Sequence, residues 1–403
     1  MIGSIIEGIV VAVTVTLAGA GFKKILDRKS RRSLIHKGHL VADYFFHSQA
    51  TVNTLLKSEP ETPDISDEFI DYTIVKRNGY YRKEHRIFKL KIDGKVMAVE
   101  VPYMELVDFV RHSSIIRADS SDYDRQFELP EGLRLKTQDS FDRFKATRIL
   151  NTNDLTVRVS GFYRIPGTEN EYICKVQRST YYDQVHTNLT LDRLFSGIEE
   201  DSVRLLDLAP DNSLRPFEES IMANTIGVSA IWVMADRGKS SRENKLRYFL
   251  MPRSNKTGIY SGMLSSVGGV ARVSEDKEFK YEFLEEFAKE EMKREFTEES
   301  GIDNLIISGK LKESDIEIIP LAFTRDLNRG GKPQFFFLIS TPVISKRNLM
   351  KAFRNSFNGT EEFNQSTLRR MRKMYVSPET YCNLLYALEW IQRKKKTDFI
   401  DLD

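Results

Sequence analysis

Cysteine is scarce: Cys174 and Cys382 are the two in 403 residues. They are too few and too far apart for a disulfide framework, a CxxC pair or a Cys/His zinc spacing, so they read as reduced, structural thiols. Charge of one sign is lacking too. Sixty-one Lys and Arg against 58 Asp and Glu leave a net +3, which gives no electrostatic footprint for duplex DNA. His85, His112 and His186 are scattered, and each reads as a surface or satisfied histidine. The chain has no repeat and no low-complexity tract, which excludes solenoids and leaves a globular protein of two to three domains.

One long apolar run is present. Ile2 to Phe22, IGSIIEGIVVAVTVTLAGAGF, carries a single ionisable group, Glu7. As a helix it spans roughly 30 Å, the thickness of a bilayer core. Lys23, Lys24, Arg28, Lys29, Arg31, Arg32 and Lys37 follow it against one acid, Asp27. By the positive-inside rule that flank is cytoplasmic, so a single-pass anchor has its N-terminus outside and its bulk in the cytoplasm. A cleaved signal peptide carries its basic residues before the apolar core, and a buried core helix is rarely so uniformly apolar. Gly3, Gly8, Ala12 and the Ala18–Gly21 stretch permit close helix packing, and with it a homo-oligomer in the lipid bilayer.

The expected domains are a transmembrane helix over 2–22, a basic segment and linker over 23–65, and a β-rich α+β region over 66–220. A C-terminal domain over 221–345 and a helical segment over 346–403 follow. In the β-rich region FIDYTIVKR, RIFKLKI and KVMAVEV have strand composition, and Asp93-Gly94 marks a hairpin. A second hairpin flanks PGTEN (Pro166 to Asn170), and Met104 to Ile116 is expected to be a helix. The region shows no catalytic constellation. Near the C-terminus, YCNLLYALEWIQ is expected as a helix packing through Leu384, Leu385, Leu388 and Ile391. The basic clusters on either side of it suit anionic headgroups or an anionic ligand, or are simply solvated helix ends.

Chemistry is concentrated further on. Thr225–Asp236 and Lys245–Arg253 read as a hairpin, followed by a Gly268-Gly269 turn and a helix over Glu282–Ile302. Within that helix Glu286, Arg294, Glu295, Phe296, Glu298, Glu299, Gly301 and Ile302 match the Nudix box, G-x5-E-x7-R-E-U-x-E-E-x-G-U with U apolar. The box glycine is displaced: Lys280 stands six residues before Glu286, and Gly268-Gly269 lies further upstream. Glu295, Glu298 and Glu299 stand at i, i+3 and i+4, one helix face, and carboxylate oxygens are hard ligands for Mg²⁺ or Mn²⁺. Arg294 is placed to orient Glu298 one turn on.

Residues 225–345 therefore resemble a Nudix domain, a helix–sheet–helix sandwich. The resemblance implies Glu295, Glu298 and Glu299 as metal ligands, with Glu295 or Glu298 catalytic if the chain is a hydrolase of nucleoside diphosphate derivatives. Arg237, Arg247, Arg253 and Lys256 are weak candidates for phosphate contact, each equally readable as surface charge. The whole architecture, with the stretch QRSTYYDQVHTNLTLD (Gln177 to Asp192), resembles the transmembrane, SMODS-associated Nudix effectors of CBASS antiphage systems. That resemblance implies a cell inner membrane effector, which binds a cyclic oligonucleotide made by a cognate nucleotidyltransferase and assembles to impair the membrane.

Overall fold

In the computed structural model Asp93 and Gly94 both carry positive φ, 46° and 82°, the backbone of a two-residue hairpin turn of type I′. Residues 45–57, 68–148, 152–195, 201–236, 245–253, 257–273, 278–345, 348–349, 352 and 375–396 are described. Among them no helix is long and apolar enough to cross a membrane. The expected spanning segment 2–22, its basic flank, and Arg237 and Lys256 lie outside the described residues.

The fold is mixed α+β. The strands are β1 (Phe46–Ser48), β2 (Arg86–Ile92), β3 (Lys95–Val101), β4 (Tyr103–Asp108), β5 (Ile115–Asp119), β6 (Leu155–Arg164) and β7 (Glu171–Thr180). They continue with β8 (Gly227–Asp236), β9 (Lys245–Phe249), β10 (Met251–Pro252), β11 (Leu264–Ser265), β12 (Val267–Val270), β13 (Glu317–Asp326) and β14 (Lys332–Pro342). Five helices matter here: α1 (Gln49–Lys57), α2 (Leu133–Thr147), α3 (Tyr181–His186), α4 (Leu284–Ser300) and α5 (Pro378–Lys396).

The main sheet has seven strands, in the order β1-β9-β8-β14-β13-β4 with β12 also on β8. β14 runs parallel to β8 and the other pairs are antiparallel. Alternation along β8 separates two cores. Val228, Ala230, Trp232 and Met234 pack with Leu284, Phe287, Ala288, Met292 and Phe296 of α4. Ile231 and Val233 pack with Leu384, Leu385 and Leu388 of α5. Fully burying each large side chain contributes roughly 1.5–3 kcal/mol, so both helices are held by many such groups. The anticipated packing residues of α5, Ile391 included, are all buried. Its far side is covered as well, by Phe88, Leu90, Ile92, Val99 and Val101 of the β2–β3 hairpin and by Val52 and Leu56 of α1.

Three expectations are corrected. The helix expected over Met104–Ile116 is instead β4, a turn and β5. β4 finds hydrogen-bonding partners on β13 (Tyr103 opposite Asp326, Val107 opposite Phe323), and non-local pairing outweighs a short helical spacing. Asp108 then closes the turn, accepting from the N–H groups of Val110 and Arg111. The strand expected in FIDYTIVKR is an irregular segment ending in a short helix, Ile74–Asn78, stopped by Gly79 at φ 69°. Phe69 and Tyr72 anchor it against Phe144 and Tyr260. Gly268-Gly269 is not a turn but lies within β12, paired with Ser229 and Val228.

The boundary expected near residue 220 is crossed by the main sheet, because β1 and β4 are two of its strands. The three-stranded sheet β5-β7-β6 sends Val157, Val159, Cys174 and Val176 into the core under α4.

Candidate functional site

α4 carries the box. Glu285 and Glu286 occupy its first turn, where carboxylates suit the positive end of the helix dipole. Gly301, at φ 63°, ends the helix and donates its N–H to Thr297 O (3.0 Å), and Ile302 is buried behind it. Glu286 is exposed. Its neighbour Glu285 turns inward and accepts from the Ile116 N–H (3.2 Å), which ties the helix to β5.

Arg294 sits at the centre of the acidic face. It donates to Glu298 Oε2 (3.0 Å), to Glu295 Oε1 (2.6 Å), and through Nε and Nη2 to Glu291 Oε2 (3.1 and 2.9 Å). Burial works against its charge, yet the Glu295 and Glu291 carboxylates hold the guanidinium well above its ordinary value. Glu295 is 5% exposed, and desolvation raises its carboxyl above the usual range despite Arg294. The Gly268 N–H donates to Glu299 Oε2 (3.1 Å). Glu291, which also accepts from the Arg272 N–H (2.9 Å), was not singled out from the sequence, although its place three residues before Arg294 is a readable signal.

The expected metal ligands are thus drawn to different partners, Glu295 and Glu298 to Arg294 and Glu299 to a strand N–H. Among the described residues no three His, Cys, Asp or Glu side chains converge as a metal ion needs. In this arrangement the carboxylates do not fit Mg²⁺ or Mn²⁺, which require several oxygens directed at one point. Arg247 stands opposite Met234, six residues along β8 from the Val228 that faces Gly269, or about 20 Å away. The Arg253 N–H is bonded to Met263 O in the small β10–β11 region. Neither arginine is brought to the box.

No protein-family model matches the chain, and no curated protein does.

Gly268 and Gly269 are close-approach glycines of different kinds. A Cβ on Gly268 would stand 2.4 Å from the Val228 carbonyl oxygen and 2.9 Å from Ser229 Cα, backbone that cannot yield. A Cβ on Gly269 would meet the Glu295 carboxylate at 2.4–2.7 Å, and a side-chain end can move. Gly268→Ala is therefore expected to cost about 3 kcal/mol and Gly269→Ala about 1 kcal/mol. Chemical denaturation of both variants is the check, and equal losses would contradict the distinction.

A cleft of about 610 Å³ lies along Lys289, Lys293, Phe296 and Thr297. At 100° per residue those positions are on the side of α4 roughly opposite the box carboxylates, so the cleft is not part of the acidic face.

A second polar assembly lies across the sheet. Lys332 and Gln334 continue the row of Phe336 and Leu338, which faces α5. Between this row and the first turns of α5, Ser229 and Ser266 share a hydrogen bond (2.6 Å). The Asn383 amide donates to Ser229 Oγ (3.3 Å), and the Ser266 N–H donates to Thr380 Oγ1 (2.8 Å). Lys332 is 1% and Arg329 3% exposed. Burial pushes the Lys332 ammonium well below the ordinary lysine range, with nearby Arg329 acting in the same direction. Both residues escaped the sequence reading, because nothing local in DLNRGGK (Asp326–Lys332) announces burial.

Proposed function

We propose that this chain is a membrane-anchored effector of a CBASS antiphage system. Its cytosolic, Nudix-containing region binds a cyclic oligonucleotide, and the chains then assemble to impair the inner membrane. The observation that carries the binding-module reading is the commitment of the box carboxylates to Arg294 and to the β12 backbone. In this arrangement one oxygen each of Glu295 and Glu298 turns to Arg294 and one of Glu299 to the Gly268 N–H, so the three carboxylates are not directed at one point. The box spacing, the Gly301 stop and the helix–sheet–helix layering support the Nudix assignment.

A ligand that binds only the folded state raises its melting midpoint by mass action. Full-length protein in detergent is expected to melt higher with one member of a panel of cyclic di- and trinucleotides, with no turnover and no need for Mg²⁺. A shift confined to linear nucleoside diphosphates with Mg²⁺, accompanied by product, would instead establish the alternative, a membrane-tethered Nudix hydrolase.

A further inference from the structure

The β2–β3 hairpin has one covered edge and one open edge. Its two-residue turn makes the flanking residues, Ile92 and Lys95, a hydrogen-bonded pair. Alternation then points the N–H and C=O groups of Lys91 outward from β2, and those of Val96, Ala98 and Glu100 outward from β3. On the β2 side Gln392 of α5 takes both groups of Lys91. Its amide donates to Lys91 O (2.9 Å) and its Oε1 accepts from the Lys91 N–H (3.4 Å). On the β3 side, among the described residues, no hydrogen-bonding partner meets the outward groups of Val96, Ala98 or Glu100.

Proline and bulges commonly blunt natural edge strands, and β3, KVMAVEV, has neither. Val96 is 76% exposed on its outer face. The charges stand towards the two ends of the strand. Lys95 is exposed, and Glu100, 53% exposed in side chain, lies 2.9 Å from His85 Nδ1. The hairpin that presents this edge is held firmly. Phe88, Leu90, Val99 and Val101 fix its inner face in the core. At the tip, Asp93 accepts from the Asn53 amide (2.7 Å) and pairs with Lys57.

A second copy of the same strand satisfies this edge. An antiparallel two-fold register centred on Ala98 sets Val96 opposite Glu100 of the second copy and Ala98 opposite its own counterpart. Every outward donor and acceptor of Val96, Ala98 and Glu100 is then used on both copies. The same register covers Val96 and brings Lys95, its neighbour in sequence, beside the Glu100 carboxylate of the other copy. Opposite charges thus meet at both ends of the contact. We propose that the β3 edge pairs with the β3 edge of a second copy of this chain, joining two hairpins into one continuous sheet. The contact lies outside the membrane anchor, and it rests on the effector reading only for what triggers it.

The test uses full-length protein in detergent, without ligand and with the panel of cyclic oligonucleotides. Both native cysteines are buried, so an Ala98→Cys variant carries one reactive thiol. Hydrogen-bonded antiparallel partners have Cα atoms about 5.5 Å apart, within disulfide reach. Under mild oxidation Ala98→Cys is expected to give a linked dimer on a non-reducing gel. Ile307→Cys, at an 84% exposed position far from the hairpin on the α4 side of the main sheet, is expected to give none. In the Ala98→Cys background, Lys95→Glu is expected to lower the dimer yield at least about fivefold, and adding Glu100→Lys to restore it. All these positions are exposed, so each variant is expected to melt as wild type does. No dimer from Ala98→Cys, as when the edge takes a strand of some other protein, would overturn self-pairing. So would an equal yield from Ile307→Cys, or a yield that ignores both charge changes. A dimer unchanged by every cyclic oligonucleotide would keep the strand pairing and remove ligand-triggered assembly from the effector reading.

Discussion

Asp192→Ala is expected to lower the unfolding free energy by about 3–5 kcal/mol, because it strands a fully buried guanidinium. Arg204 is 0% and Asp192 4% exposed in side chain, and they meet through two bonds, Nε to Oδ1 at 2.5 Å and Nη2 to Oδ2 at 2.9 Å. Burial opposes the Arg204 charge, but Asp192 holds it well above the ordinary arginine value. Asp192 also accepts from the Asp71 N–H (2.9 Å), so its loss frees three donors. Paired replacement, Asp192→Leu with Arg204→Met, is expected to recover part of the stability by removing both charges. Urea denaturation of wild type and the two variants decides. A single variant within about 1 kcal/mol of wild type would show that water reaches the guanidinium.

The second large effect is a pair of opposed acid responses. His186 stacks on Phe141 (4.5 Å, 4° between planes) and its Nδ1 lies 2.8 Å from Thr137 Oγ1. Burial, helped by Arg134 and opposed by Asp142, lowers its pKa to about 4. Between pH 6.5 and 4 the unfolded chain takes up a proton that the native imidazole refuses, so this residue withdraws at most about 3 kcal/mol as pH falls. Asp207 acts the other way. Burial, against hydrogen bonds from the Ile221 N–H and the Ser220 hydroxyl, raises it to about 6. Its native form keeps a proton that the unfolded form releases above about pH 4, so its contribution falls by about 3 kcal/mol as pH rises to 6. Relative to wild type, His186→Gln is expected to gain stability on acidification and Asp207→Asn to lose it. Denaturation of each variant at pH 4, 5 and 6.5 gives the differences; parallel curves would refute both assignments.

The parts of the fold legible in the sequence were those set by local chemistry. Asp93-Gly94 could be read because two positive φ angles suit that pair. The hairpin of β6 and β7, the pairing of β8 with β9, α4 and α5 followed from composition and period. β13 has no such local signal: Pro320 is unfavourable in an inner strand, and the structure accommodates it at a bulge between Pro320 and Ala322. β4 depended on a partner more than 200 residues away in sequence. At the site, the Arg294–Glu298 bond (3.0 Å) follows from one-turn spacing alone. That Glu299 turns to a strand N–H, or that Lys332 and Arg329 are enclosed, depends on which elements pack across the sheet.

The enclosure of α5 has a consequence for how the chain is made. The Tyr381 hydroxyl donates to Leu56 O across 325 residues of sequence (2.9 Å), and Val52, Leu56 and the β2–β3 hairpin share one apolar cluster with α5. At ribosomal rates those 325 residues take roughly 15–65 s to synthesise. Throughout that interval α1 and the hairpin have apolar faces with nothing to cover them. The earliest described elements must wait for the last, so this cluster closes only near or after the end of translation, and until then the nascent chain is a natural client for chaperones.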